Sequence, residues 1–275
     1  MLQNIPFFIL DWYNRLDYAL RQRFHWQRGE ISIINESKED LFAGLSTKQR
    51  KSAEDMADRF LHQYHLEHFY AHSRAENYRE NLYYLALLER SFTMANIHLG
   101  EEIHAADIGV SSWFYVQALY ALLRWYDAPD GRLVNLVGYE RDAYRVYADF
   151  RSRYDHAQTH LQGLAGVSYL PIAFSPQLNH FDILFILFPF LFLRDHLKWG
   201  LPKKQFNPIG LLTDAWLSLK KDGVLILVNQ GIEEHQVQKH LLKLAAIPIH
   251  AMLQFESPLF HYDLERYVII AIRSD

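Results

Sequence analysis

The chain has 275 residues, half of them hydrophobic and 15% aromatic, which is enough to bury a large core and excludes a disordered tail protein or a fibrous repeat. Its 28 basic side chains face 32 acidic ones, a formal charge of −4 with the 15 histidines neutral, so there is no footing for sequence-independent phosphate binding and nucleic acid is not the expected partner. Cysteine is absent, which removes disulfides, thiolate metal ligands and sulfur nucleophiles and fits a reducing compartment.

Residues 1–15 carry polar and charged side chains within the first dozen positions and no small-residue cleavage pattern, so no secretory signal and a cytoplasmic location are expected. Helical period runs through a first segment marked by Trp12, Leu16, Tyr18 and Leu20, then 41–65, then 76–96. The second opens after Glu36-Ser37 with Lys38, Glu39 and Asp40. The third opens with Ser73 three positions ahead of Glu76, the spacing of a capping box. Only 31–34 competes as a strand. The stripe Tyr78, Leu82, Leu85, Leu88 and Phe92 reads as core packing.

His62, His65, His68 and His72 form a dense group, and the last three share one face at helical spacing. A metal site would need neutral imidazoles converging with ligands from elsewhere. A histidine-rich helix face is more commonly solvated or in contact with a domain, so no metal is expected here.

After Gly100 the pattern changes to short apolar runs separated by helical stretches. Strands are expected at 103–108, 133–139, 167–174, 181–187, 223–228, 250–255 and 267–273, with helices at 114–126, 141–161, 208–220 and 232–244. Alternation of this length is satisfied by a parallel sheet covered on both faces, so the fold class is α/β. The last two runs are joined by a loop with no helical period, which suits an antiparallel pair at the sheet's edge. The longest uncharged apolar run, 183–193, is interrupted by Pro189 and is about half the ~20 residues that a membrane-spanning helix needs, so no membrane partner is expected. The expected organisation is a helical region over 1–100, followed by an α/β domain over 101–275.

In an open parallel sheet a ligand sits beyond the carboxyl ends of the strands. The first tip reads Asp107-Ile108-Gly109-Val110-Ser111-Ser112-Trp113 and leads into a helix. Its small residues Gly109, Ser111 and Ser112 let a ligand approach the backbone, although an ordinary strand-to-helix turn would need a glycine too. The second tip, Gly138-Tyr139-Glu140, ends in a carboxylate able to accept both hydroxyls of a ribose, or else to stabilise the start of the next helix.

These tips and the order of elements resemble the class I S-adenosylmethionine-dependent methyltransferases over residues 101–275. In that superfamily the first strand ends Asp-x-Gly-x-Gly-x-Gly, and the second ends in an acid, here Glu140. The fourth opens Phe-Asp, here Phe181-Asp182. A leucine-rich helix and a Lys-Pro-Gly-Gly turn precede the fifth, here Leu217-Ser218-Leu219-Lys220-Lys221-Asp222-Gly223. The closing hairpin is a further mark.

The resemblance implies a Rossmann-like sheet, S-adenosylmethionine as cofactor and methyl transfer to a small molecule or protein side chain. Asp107 would orient the turn or the methionine ammonium, Gly109, Ser111 and Ser112 would admit the cofactor, and Glu140 would hold the ribose. Phe174 would offer an aromatic face to the purine, with Phe188 beyond the fourth strand. Asn229, Gln230 and Tyr78, Tyr83 and Tyr84 are possible acceptor-side contacts; no catalytic base is identified.

Ser111 and Trp113 stand where two glycines are expected, and the indole adds bulk beside the cofactor. No acid follows the third strand. Leu187-Phe188-Pro189-Phe190 lacks the polar first member of the Asn/Asp-Pro-Pro-aromatic motif of nucleobase and glutamine enzymes, which counts against a base as acceptor. Two other readings follow: a catalytically silent methyltransferase-fold protein that serves as a binding module, and a serine hydrolase with Ser111 as nucleophile and His261 as base. The second glycine of a nucleophile elbow is missing in the latter.

Overall fold

The computed structural model describes residues 6–29 and 31–274. Residues 1–5, which open the stretch read above as no secretory signal, lie outside them. Nine α-helices and seven strands are described: α1 Phe7–Phe24, α2 Thr47–Gln63, α3 Glu67–Ala71, α4 Ala75–Ala95, β1 Glu102–Ile108, α5 Val116–Trp125, β2 Leu133–Tyr139, α6 Arg153–Leu161, β3 Val167–Leu170, β4 Phe181–Leu187, α7 Leu193–Lys198, α8 Pro208–Ser218, β5 Leu219–Gln230, α9 Gly231–Leu244, β6 Ala251–Phe255 and β7 Arg266–Ile272. The sheet order is β3-β2-β1-β4-β5-β7-β6. The first five are parallel, and β7 enters antiparallel between β5 and the edge strand β6. The α/β class and the closing hairpin are as expected.

Alternate residues of each strand serve opposite faces. Ala105, Leu136, Ile183, Phe185, Ile226 and Ile270 join a core with α4, α5 and α6. Ala106, Ile108, Leu184, Ile186, Leu227 and Ile269 join another with α8 and α9. Tyr78, Leu82, Leu85, Leu88 and Phe92 of α4 are all buried in the first core. Both faces are therefore dry, and the strands read as apolar runs rather than as alternation.

Several expectations are corrected. Residues 31–34 form no strand and run as coil over α6, with the Ile31 N–H on Thr159. The expected helix 141–161 exists only as α6; Ser152 and Asp155 form a capping box that starts it, and 141–152 is a loop with Phe150 left-handed. β3 stops at Leu170, ahead of Pro171, because proline has no N–H for a ladder. Lys220 belongs to β5, not to α8. No capping box forms at Ser73: its hydroxyl donates to the Phe69 carbonyl instead, and Arg74 is the N-cap of α4.

His65, His68 and His72 do not share one helix face. α2 ends at Gln63, His65 turns left-handed and rests on Trp125, and His68 and His72 stack on each other. No group of three or more candidate metal ligands occurs among the described residues.

The first helix reverses the usual polarity. Its inward face is polar: Asn14 donates to the carbonyls of Leu197 and Leu201, Asp11 accepts the Lys203 N–H, and Arg21 donates to Asp142. Of the periodic residues of the sequence, Trp12, Leu16 and Leu20 point outward, whereas Tyr18 turns inward and donates its hydroxyl to the Arg141 carbonyl. No helix among the described residues is long and apolar enough to cross a membrane.

Candidate functional site

The carboxyl ends of β1, β2, β4 and β5 open on one cavity of about 530 Å³, a size suited to a ligand of a few tens of atoms. Most of its wall comes from the turn 109–112, the tip of β2, and the segment 188–214, which runs through α7 into α8; Phe114, Tyr115, Tyr147, Phe174 and Gln230 add to it.

The turn has left-handed backbone at Gly109 (φ +81°), Ser111 (φ +53°) and Trp113 (φ +52°). Only the first is glycine. A left-handed L-residue costs roughly 1–2 kcal/mol, so two such residues need compensation, and the structure supplies it. The Ser111 N–H donates to Glu140 Oε2 at 2.8 Å, its carbonyl accepts from the Tyr169 hydroxyl at 2.9 Å, and its Oγ lies 3.2 Å from Tyr147 Oη. The Gly109 N–H donates to the Tyr139 carbonyl at 2.8 Å, which continues the β1–β2 ladder past the strand ends.

Trp113 is fully buried and lies outside the cavity lining. Its Nε1 donates to Asp107 Oδ2 at 2.8 Å, and its six-membered ring fills the space left by Gly138. The bulky side chain therefore turns beneath the strand tips and leaves the cavity open.

Asp107 also stays beneath. It is fully buried, absent from the cavity wall, and burial pushes its carboxyl up to about 7 against the contrary pulls of Tyr115 and Trp113. Its carboxylate is turned to Trp113 and Tyr115, away from the cavity.

Glu140 lies at the cavity wall, nearly buried. Oε2 holds the Ser111 N–H and Oε1 holds the Asp142 N–H, each at 2.8 Å, with Arg153 Nη1 at 3.6 Å from Oε1. A carboxylate has about four acceptor positions, so capacity remains on both oxygens. Asp142 behind it is wholly buried; burial raises its pKa while Arg153 and Arg21 oppose the rise. This cluster ties helix α1 to the loop that follows Glu140.

Of the seven residues named from the sequence, Gly109, Ser111, Ser112, Glu140, Phe174 and Phe188 line the cavity and Asp107 does not. Phe174 stands edge-on to Tyr139 with ring centres 5.1 Å apart. Phe188 is left-handed (φ +59°), and Arg266 lies 5.0 Å above its ring. Gln230 reaches the cavity; Asn229, Tyr78, Tyr83 and Tyr84 are buried away from it. Ser111 Oγ has no hydrogen bond to histidine among the described residues, and His261 is exposed and outside the wall, so the two do not form a nucleophile and base pair.

Sequence reading missed Tyr147, His196, Trp199, Gln205 and Asp214, all at the wall. Tyr147 was hidden by the false helix. A signal existed for His196, Trp199 and Gln205: Pro189, Pro202 and Asn207-Pro208 punctuate a connection too long for a simple crossover, whereas Asp214 lies within the expected helix 208–220.

No family model matches the chain, and no curated protein matches it. Among solved structures, it is similar to an S-adenosylmethionine-dependent methyltransferase from Aquifex aeolicus (14% identity, TM-score 0.47, 70% of this chain and 92% of the other). It is likewise similar to one from Leishmania major (11%, TM-score 0.48, 80% and 82%) and to an O-methyltransferase from Thermotoga maritima (16%, TM-score 0.43, 69% and 64%). At such identities no chemistry follows from the likeness. What the structure shows by itself is a seven-stranded α/β sheet, parallel but for β7.

Proposed function

We propose that the chain binds S-adenosylmethionine across the tips of β1 and β2 and transfers its methyl group to a small molecule or a protein side chain. The observation that carries this reading is the placement of Glu140: a nearly buried carboxylate at the end of β2, on the wall of the cavity and bonded to the Ser111 N–H of the β1 turn.

The residues present fit the group. Glu140 keeps acceptor capacity for two ribose hydroxyls after holding its two backbone donors. A side chain built on Gly109 would meet nothing within 4 Å, so open space lies over the turn where the methionine end would pass. Phe174 and Tyr139 give an aromatic wall for a purine. When bound, the cofactor supplies a methyl group on a sulfonium, an electrophile that needs positioning more than it needs a partner side chain.

The chain's own part is then to align donor and acceptor and to exclude water. Phe114, Leu187, Phe188 and Pro189 make the dry end of the cavity, with Gln230 beside them as a hydrogen-bonding group. The connection 197–205, held down by α1, closes the opposite side, which supports an acceptor-side role for α1.

Calorimetry with S-adenosylmethionine and its demethylated product tests the reading. Binding to the wild type is expected, weakened about tenfold or more in Glu140→Ala. Glu140→Gln, which keeps an acceptor for Ser111, separates loss of the ribose grip from loss of the turn. Unchanged affinity in both variants would refute the role of Glu140. No calorimetric or thermal response of the wild type to millimolar ligand would overturn the enzyme reading in favour of a silent binding module.

A further inference from the structure

We infer that His196 is the general base of the site, its Nδ1 taking the proton of an acceptor hydroxyl carried on an aromatic ring. The inference rests on the methyl-transfer reading for its reaction and on the cavity wall for the ring. His196, in α7, is 3% exposed and lines the cavity. Its Nε2 lies 3.0 Å from the Pro202 carbonyl. A carbonyl oxygen only accepts, so Nε2 carries the ring proton and the lone pair of the neutral imidazole falls on Nδ1. Nδ1 bonds to no described residue, yet it is not sealed in the interior as His235 Nδ1 is; the cavity is the space it opens on.

Helix α1 fixes that tautomer from outside. Asn14 donates to the carbonyls of Leu197 and Leu201, and Asp11 accepts the Lys203 N–H, so the chain is anchored on both sides of Pro202. The Leu201 N–H returns to the His196 carbonyl at 3.2 Å and closes the turn. The charged groups acting on the ring are Arg141, whose Nη1 donates to the Gln205 carbonyl, and Asp11, paired with Arg15. Burial outweighs both and holds the imidazole below its ordinary 6.5, so Nδ1 is unprotonated at neutral pH. Glu140 and Tyr147 are already engaged with the 109–112 turn, and Asp214 stands on α8 beside the core of Phe174 and Tyr139, at the purine end.

The wall selects the acceptor. Phe190 and Phe206 stand edge-on to the imidazole, with ring centres at 5.7 and 5.3 Å, and Trp199 lies 5.7 Å from Phe190. All three line the cavity, and a flat ring among them makes the edge and face contacts that aromatic groups prefer. Arg141 is turned to Gln205 and no lysine lines the cavity among the described residues, so a carboxylate or phosphate has no cation waiting for it. A base weakened by burial takes a proton from a phenol, whose pKa is about 10 as in tyrosine, far more readily than from an alkyl alcohol, which is about as weak an acid as water. In the step the phenol oxygen forms the new O–C bond, the C–S bond breaks with its electron pair going to sulfur, and the phenol proton passes to Nδ1 and from there to water.

Nitrogen-15 NMR of the wild-type chain reads the tautomer without any ligand, the His196 resonances being assigned by their loss in His196→Gln. A protonated Nε2 and a bare Nδ1 are expected at pH 7; a proton on Nδ1, or a charged ring, overturns the proposal. Millimolar phenol is expected to move the Nδ1 resonance and cyclohexanol far less; no response, or an equal one, overturns the aromatic acceptor. With S-adenosylmethionine, phenol should yield anisole. His196→Gln, folded by circular dichroism, is expected to bind the cofactor within about twofold of wild type while losing about a hundredfold in kcat/KM at pH 7. Its residual rate should climb with phenol ionisation toward about pH 10, where the wild-type rate is flat. Undiminished turnover in the variant overturns the base, as does a wild type that binds both compounds and forms no anisole. Phenol at Nδ1 without any response to S-adenosylmethionine would overturn the methyl-transfer reading itself, and the base with it.

Discussion

The ring of Trp113 occupies the place of the side chain that Gly138 lacks: a Cβ built on Gly138 would lie 2.6 Å from Trp113 Cζ3. A residue that crowds the glycine motif on paper is thereby removed from the cavity, because its neighbour on β2 is the smallest residue available.

Gly138→Ala is therefore expected to destabilise the fold by about 1–3 kcal/mol, since an indole wedged among buried strands has little room to retreat. Urea unfolding measures it, and an unchanged midpoint would show that the ring yields freely.

Trp113→Gly would restore the glycine expected at this left-handed position, yet a net loss of stability is expected. The backbone relief of roughly 1–2 kcal/mol is smaller than the about 3–5 kcal/mol that removing a buried aromatic costs. A more stable variant would mean that strain, not packing, dominates the turn.

Asp107 sets a pH dependence. Burial raises its folded pKa from 3.8 to about 7, so the folded state holds the proton more tightly than the unfolded chain. Its contribution to stability is present in full below the unfolded value and is lost as pH rises toward 7. The stability difference between wild type and Asp107→Asn should move against the wild type across that window and level off above it. Chemical denaturation at stepped pH reads this directly; a flat difference would refute the shift.

Arg21→Ala should loosen α1. It removes the 2.8 Å bond to Asp142, a carboxylate with no exposure, and the bond to the Gly200 carbonyl. Asp142 keeps Arg153 and Arg145 within 4 Å, so the expected cost is about 2 kcal/mol, below the 3–5 kcal/mol of a fully orphaned buried charge. Faster hydrogen exchange confined to α1 and 197–205 is the accompanying sign.

The seven strands, the α/β class and the acid at the end of β2 were legible in the sequence because buried parallel strands are written as apolar runs and their tips as glycine or acid. Where reading failed, long-range contacts had decided. Loop 141–152 has helical composition, but Asp142 is drawn into a cluster with Arg21 and Arg153, residues 121 and 11 positions away, and no local pattern records that pairing. The direction of the Trp113 ring depended on Gly138 in another strand. The outward turn of the α1 stripe depended on polar bonds from its other face to segments near residue 200. Local periodicity specifies which residues can share a face; which face meets the protein, and which side chain enters a cavity, is settled only when distant segments compete for the same space and the same hydrogen bonds.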